Sequence, residues 1–148
     1  MGPFATRLLA ALAVSAILAA CGGSSSNSSP DAAHVKQTIT RAFHALATGD
    51  GATLCSLATA DGQRALAAAA PHSTCAKVVA LVGAHLTPSQ KAALESVQVS
   101  KVTIDGDHAT VKSSDLTVAH GSLKGFIDSG SAPTRLAKQS DGSWKISR

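Results

Sequence analysis

Tyrosine is absent from this chain of 148 residues, and beyond position 30 its aromatic side chains are Phe43, Phe126 and Trp144 alone. Single-stranded nucleic acid is held by cationic grooves lined with stacking rings, and neither component is supplied here. The 13 Lys and Arg against 9 Asp and Glu give a formal net charge of +4. The signs are interspersed, with five basic and four acidic residues over positions 31–100 and seven and five from 101 onward. No basic block forms, so the positive balance reads as a solubility property and nucleic acid is excluded as a partner class.

Metal and nucleophile patterns are missing as well. His34 and His44 stand ten residues apart, a rotation of about 280° on a helix, so they do not share a face. His72, His85, His108 and His120 add no His-x-His or His-x-x-x-His spacing of the kind that places two imidazoles on one metal. No serine sits in a nucleophile elbow, and neither Cys55 nor Cys75 belongs to a Cys-x-x-Cys redox motif. The expectation is no metal, no cofactor and no catalytic residue.

Long apolar runs are also scarce. The longest, Leu8 to Ala20, has 13 residues, short of the roughly 20 that a spanning helix requires. It follows a short segment carrying Arg7 and precedes Cys21, an arrangement with the layout of a signal peptide. Leu18-Ala19-Ala20-Cys21 resembles the lipobox of bacterial lipoproteins, in which the cysteine thiol receives diacylglycerol and the leader is cut just before it. That resemblance implies a mature protein beginning at a lipidated Cys21, anchored by acyl chains to the outer face of the cell membrane, since two chains hold stably where one is marginal. An ordinary secretory signal beside a cysteine is the alternative. The domain plan is thus 1–20 signal peptide, 21–30 tether and 31–148 a single folded domain. The tether, Gly22 to Pro30, carries no side chain able to bury a core, and its Asn27-Ser28-Ser29 reads as solvated linker rather than glycosylation acceptor.

With Cys21 committed to lipid, Cys55 and Cys75 remain as a pair, and in an exported domain such a pair reads as a disulfide. The competing reading is a reactive thiol. The chain-entropy argument assigns a loop of this size on the order of 3 kcal/mol of stabilisation.

Periodicity divides the domain in two. Val35, Ile39, Phe43 and Leu46 recur at spacings of four, four and three, predicting a helix over Ala32 to Thr48 with Asp31 as its cap and Gly49 as its stop. Asp50-Gly51 opens a short segment to Leu57, Asp61 caps a stretch running to Pro71, and Ser73 caps a helix whose apolar side is Val78, Val79, Leu81 and Val82. Thr87-Pro88-Ser89-Gln90 has the form of a capping box and predicts a helix over Pro88 to Ser96. From Val97 the pattern alternates. Val97 to Ile104 reads as a strand with a bulge near Ser100-Lys101, because Val97 and Val99 lie on one face and Val102 and Ile104 on the other. Burial on both faces is the competing reading. Asp105-Gly106 signals a hairpin returning through His108 to Lys112, and a closing hairpin joins Thr134–Lys138 to Ser143–Ser147 around Asp141-Gly142, with Trp144 and Ile146 pointing inward. The stretch from Asp115 to Ile127 has no clear assignment.

Helices followed by a sheet ending in Leu136-Ala137-Lys138-Gln139-Ser140-Asp141-Gly142-Ser143-Trp144-Lys145-Ile146 resemble the NTF2-like fold, in particular that of small exported lipoproteins of actinobacterial type. The matching features are Gly49-Asp50 after the first helix, the cysteines flanking the second, and the hairpin Gly106-Asp107-His108-Ala109-Thr110-Val111. The resemblance implies an α+β cone, N-terminal helices packed on a curved antiparallel sheet. Enzymes of this fold, isomerases and cyclases, use a carboxylate or His base with a Tyr or acid at the oxyanion. This chain has no Tyr, and Asp31, Asp50, Asp61, Asp105, Asp107 and Asp141 are explained by caps and turns. Asp115 and Asp128 are the remaining pocket candidates for an acid/base enzyme. The favoured reading is a non-catalytic binding or interaction module whose partner is a small apolar ligand or an envelope protein. Oligomeric state is open, a homodimer through the sheet among the arrangements.

Overall fold

The computed structural model describes residues 27–128 and 134–147, with the side chains of 127 and 128 outside that description. The expected signal peptide, 1–20, and Cys21 lie outside it too. Five helices come first: α1 Pro30–Thr48, α2 Gly51–Ser56, α3 Ala60–Ala67, α4 Cys75–His85 and α5 Pro88–Glu95. Short strands follow, β1 Gln98–Val99, β2 Thr103–Asp105, β3 His108–Thr110 and β4 Leu116–Thr117. A five-residue helix, α6 Lys124–Asp128, then precedes β5 Arg135–Lys138 and β6 Trp144–Ile146. The protein is mixed α+β, helices first and antiparallel sheets after.

The cap of α1 departs from expectation. Ser29, not Asp31, holds the N-terminus, its hydroxyl accepting from Ala32 N at 3.1 Å, and Pro30 takes the first helical position, where its missing N–H costs nothing. Asp31 is thereby released for another task. Gly49 closes the helix with φ 70°, a left-handed conformation that glycine adopts without a Cβ penalty. The caps of α3 and α4 also shift by one or two residues, to Thr59 and Thr74 in place of Asp61 and Ser73, while Asp61 pairs with Arg64 on the surface. At α5 both halves of the capping box form: Gln90 N donates to Thr87 Oγ1 and Thr87 N to Gln90 Oε1.

The expected strand over Val97–Ile104 is two strands in two sheets. β1 pairs antiparallel with β4, whereas β2 joins a four-stranded antiparallel sheet of order β2-β3-β5-β6. Residues 100–102 form the break. Ser100 turns its N–H and hydroxyl to the carbonyl of Asp115, and the N–H of Val102 donates to Asn27 Oδ1 at 3.0 Å. Asn27 is therefore a docked residue rather than free linker. The break carries out what a bulge was expected to do, letting Val97 and Val102 both reach the core despite their opposite phase. The hairpin β2–β3 turns on Gly106 (φ 56°) and Asp107, with Asp105 opposite His108.

In register, Ile104, Ala109, Leu136 and Ile146 lie across one face of the larger sheet, with Lys138 opposite Trp144 beside them. Against that face α1 lays its buried stripe Val35, Ile39 and Phe43, and Thr38 Oγ1 donates to the carbonyl of Trp144 at 3.3 Å. The opposite face carries Thr103, Asp105, His108, Thr110 and Arg135, all exposed. The β6 edge is not left open. Ile146 N donates to Leu57 O and Thr59 N to Ile146 O, each at 2.8 Å, so the segment after α2 adds alongside as a parallel bridge.

Two of the outer helices are stapled to each other. The disulfide Cys55–Cys75 forms, with Cα atoms 6.2 Å apart, joining α2 to the start of α4. Helix α4 presents Val78 and Val79 inward, but Leu81 and Val82 are 54% and 36% exposed, which corrects the broader apolar face expected for this helix.

Candidate functional site

Between α1, α3, α4 and the end of the larger sheet lies a half-open groove of about 860 Å³. Its origin is compositional. The side of α3 facing it is Gly62, Ala65 and Leu66, with Ala69 in the turn that follows, so four lining positions here carry a single large side chain. Across from α3 stand Val78, Val79 and Val82 of α4, with Ala42, Phe43 and Leu46 of α1 as the floor. Small residues fold the helices well and leave the space between them unfilled. Gly125 and Phe126 of α6 and the sheet end at Thr134, Arg135, Ile146 and Ser147 complete the wall.

No Asp, Glu, His or Cys is among the described residues that line this groove. Its polar members are Gln90 on α5 and Thr134, Arg135 and Ser147 at the sheet end. The Gln90 carboxamide is engaged in its capping box, and strand alternation sends the Arg135 side chain to the face opposite the buried Leu136. The apolar lining can shield an apolar guest from water, and no carboxylate, imidazole or thiol is among its described residues.

The residues singled out from the sequence lie elsewhere. Asp115 ends a 3-10 turn over Ser113–Asp115, half-exposed, its carbonyl accepting from Ser100. The Asp128 side chain lies outside the described residues, as does Cys21. Among the described residues no three His, Cys, Asp or Glu gather closely enough to hold a metal ion, and no helix is long and apolar enough to cross a membrane.

Three carboxylates are held below their ordinary pKa. Asp31 is the most connected: the hydrogen bond from the Trp144 indole comes first and that from the Lys138 ammonium second. The Thr53 hydroxyl and N–H lower Asp50, which caps α2, and the Ser143 hydroxyl and N–H lower Asp141 in the closing turn. All three are structural caps or ties, outside the groove. A shallower hollow of about 320 Å³ is bounded by Arg41, His44, Asp50 and Glu95 on α1, α2 and α5, and Asp50 there is already occupied by Thr53 at 3.0 and 2.6 Å.

The groove was the element that motif reasoning missed. Its one signal was the small residues Gly62, Ala65 and Ala69 in and after α3, which carry little side-chain volume. No family model, no curated protein and no solved structure matches this chain.

Proposed function

We propose that this protein is a lipid-anchored, extracytoplasmic, non-catalytic binding module that holds one small apolar molecule in the groove between α1, α3 and α4. The observation that carries the reading is a cavity within the size range of small-molecule sites, about 300–1,000 Å³, lined mainly by Ala, Val, Leu, Ile and Phe, with Gln90, Thr134, Arg135 and Ser147 as polar members and no Asp, Glu, His or Cys among the described residues of its wall. An NTF2-like assignment belongs to the same reading; helices packed on an antiparallel sheet, and a disulfide pinning the outer helices, support it. The anchor rests on the lipobox resemblance at Cys21.

Each half has its own test. For the groove, the neutral probe N-phenyl-1-naphthylamine should bind with enhanced fluorescence, and Ala65→Trp, which places a ring over the groove from the α3 side, should abolish the enhancement while leaving the fold intact by circular dichroism. Equal probe binding by both proteins would refute an occupant in this groove. For the anchor, mass spectrometry of the N-terminal peptide from the expressed full chain should show a diacylglyceryl group on Cys21, and Cys21→Ser should release the protein from the membrane fraction. Unchanged sedimentation of Cys21→Ser rejects the anchor without touching the groove.

A further inference from the structure

A guest held between α1, α3 and α4 has to pass one of their walls, and the walls are not fastened alike. The floor, Phe43 and Leu46, belongs to α1, whose stripe Val35, Ile39 and Phe43 lies in the main core. Helix α4 is pressed backbone to backbone on the turn between α1 and α2, where a Cβ on Gly83 would stand 2.5 Å from Gly49 Cα. Its Val78 and Val79 are buried. Neither helix yields without breaking core contacts.

Helix α3 is fastened at its first turn only. Thr59 N donates to Ile146 O at 2.8 Å, and a Cβ on Gly62 would stand 2.9 Å from the same carbonyl. Gln63 Nε2 donates to Cys55 O, also at 2.8 Å. Beyond Gln63 these ties stop, and Gly62 is the one buried residue of the helix. Among the described residues no hydrogen bond leads from 64–73 to a residue outside 60–73. Arg64, Ala65, Ala68, Ala69, Pro71 and His72 are all exposed. Leu66 is the only large aliphatic side chain of this stretch, half-buried against Ala45, Leu54 and Val79.

The disulfide closes the base of the same segment. Cys55 and Cys75 keep its two ends 6.2 Å apart at Cα, with all of α3 inside the loop. A stretch with few buried contacts, whose backbone bonds face solvent, opens locally at far lower free energy than the whole domain unfolds. The disulfide limits such an opening to the loop itself.

We propose that α3 and the turn after it, residues 60–73, are the gate of the groove, hinged at Thr59–Gln63, latched by Leu66 and held at the base by Cys55–Cys75. This rests on the reading of the groove as a binding site and adds its entrance. A guest enters when Leu66 leaves Ala45, Leu54 and Val79, and the gate closes on it because an apolar guest supplies contacts that a row of alanines cannot make across an empty space.

Hydrogen exchange read by mass spectrometry on the oxidised protein tests the gate, with and without N-phenyl-1-naphthylamine. In the free protein the amides of 64–73 should exchange many-fold faster than those of 35–47. Saturating probe should slow 64–73 several-fold and leave 35–47 unchanged. Leu66→Ala should speed exchange over 64–73 several-fold, again without change in 35–47. Probe fluorescence that rises on binding while exchange over 64–73 stays the same would overturn the gate and leave the groove standing. Free protein in which 64–73 is as protected as 35–47 would overturn the gate whatever the probe does. Fast exchange over 64–73 with no fluorescence enhancement at all would overturn the groove reading and the gate with it.

Discussion

The indole Nε1–H of Trp144 donates to Asp31 Oδ1 at 3.0 Å, joining the last strand to the first turn of the first helix across 113 residues of sequence. Lys138 completes the cluster, its ammonium 3.0 Å from Asp31 Oδ2 and 5.7 Å from the centre of the indole ring. Ser29 does the capping that Asp31 was expected to do, and this is what frees the carboxylate to act as a tertiary tie.

The tie makes stability sensitive to acid. The Asp31 carboxyl is held below its ordinary value of 3.8, first by Trp144 and then by Lys138. A carboxylate depressed in the folded state stabilises fully above its unfolded pKa, and that contribution disappears as pH falls through the folded value. Asp31→Asn should therefore lower the urea midpoint at neutral pH, and the difference from the parent should vanish well below pH 3.8. Trp144, the sole tryptophan and only 3% exposed, reports the transition directly by its fluorescence. A difference that persists unchanged in acid would show that Asp31 acts by shape and not by charge.

Reduction should loosen α2 from α4 before it unfolds the core. The Cys55–Cys75 link closes a loop with a sequence separation of 20, and the chain-entropy account gives about 3 kcal/mol for it. At about 4–8 °C per kcal/mol in a domain near this size, dithiothreitol or the double change Cys55→Ala, Cys75→Ala should lower Tm on the order of 10–20 °C. Calorimetry with and without reductant measures this directly. A parent protein that yields two free thiols on denaturation without reductant would remove the staple from the argument.

Helix α4 offers a test of which face is buried. Val79 is 1% exposed and packs with Ala45 and Leu54, whereas Leu81 is 54% exposed. Val79→Ala should cost about 2 kcal/mol, a transfer loss plus a cavity. Leu81→Lys should change stability by no more than about 0.5 kcal/mol. Equal destabilisation by the two would mean that Leu81 faces a partner that this single chain does not show.

How far the sequence could be read varies with how local the deciding interaction is. The stripe Val35, Ile39, Phe43 was legible because 3.6-residue periodicity survives without knowing what it packs against. The capping box at Thr87 and the turns at Gly49, Gly106 and Gly142 were legible for the same reason, each being decided within four residues. The division of Val97–Ile104 between two sheets was not, because it depends on Asn27 and Asp115, which are remote in sequence. Nor was the groove: it is a volume left empty between Ala65, Val78 and Phe43, and emptiness has no motif.

The close approach of α4 to the turn between α1 and α2 gives the sharpest test, because local and tertiary rules predict opposite signs. A glycine inside an exposed helix is worse than alanine by about 1 kcal/mol, so by propensity alone Gly83→Ala in α4 should stabilise. Tertiary contact says otherwise. A Cβ on Gly83 would stand 2.5 Å from Gly49 Cα and 2.8 Å from Gly49 N, and one on Gly51 would stand 2.3 Å from Ala76 O. All of these neighbours are backbone atoms, which cannot rotate out of the way. Gly49 is itself held at positive φ by its place at the end of α1. Helix α4 would have to move outward, and overpacking of this kind costs roughly 1–3 kcal/mol. Gly125→Ala is the internal control, since a Cβ there meets nothing within 4 Å and the change should be neutral or stabilising by up to about 1 kcal/mol. Urea midpoints of the three proteins decide the matter. Because Val78 and Val82 ride on α4 and wall the groove, the outward shift in Gly83→Ala should also weaken N-phenyl-1-naphthylamine binding, linking the packing of two glycines to the shape of the site.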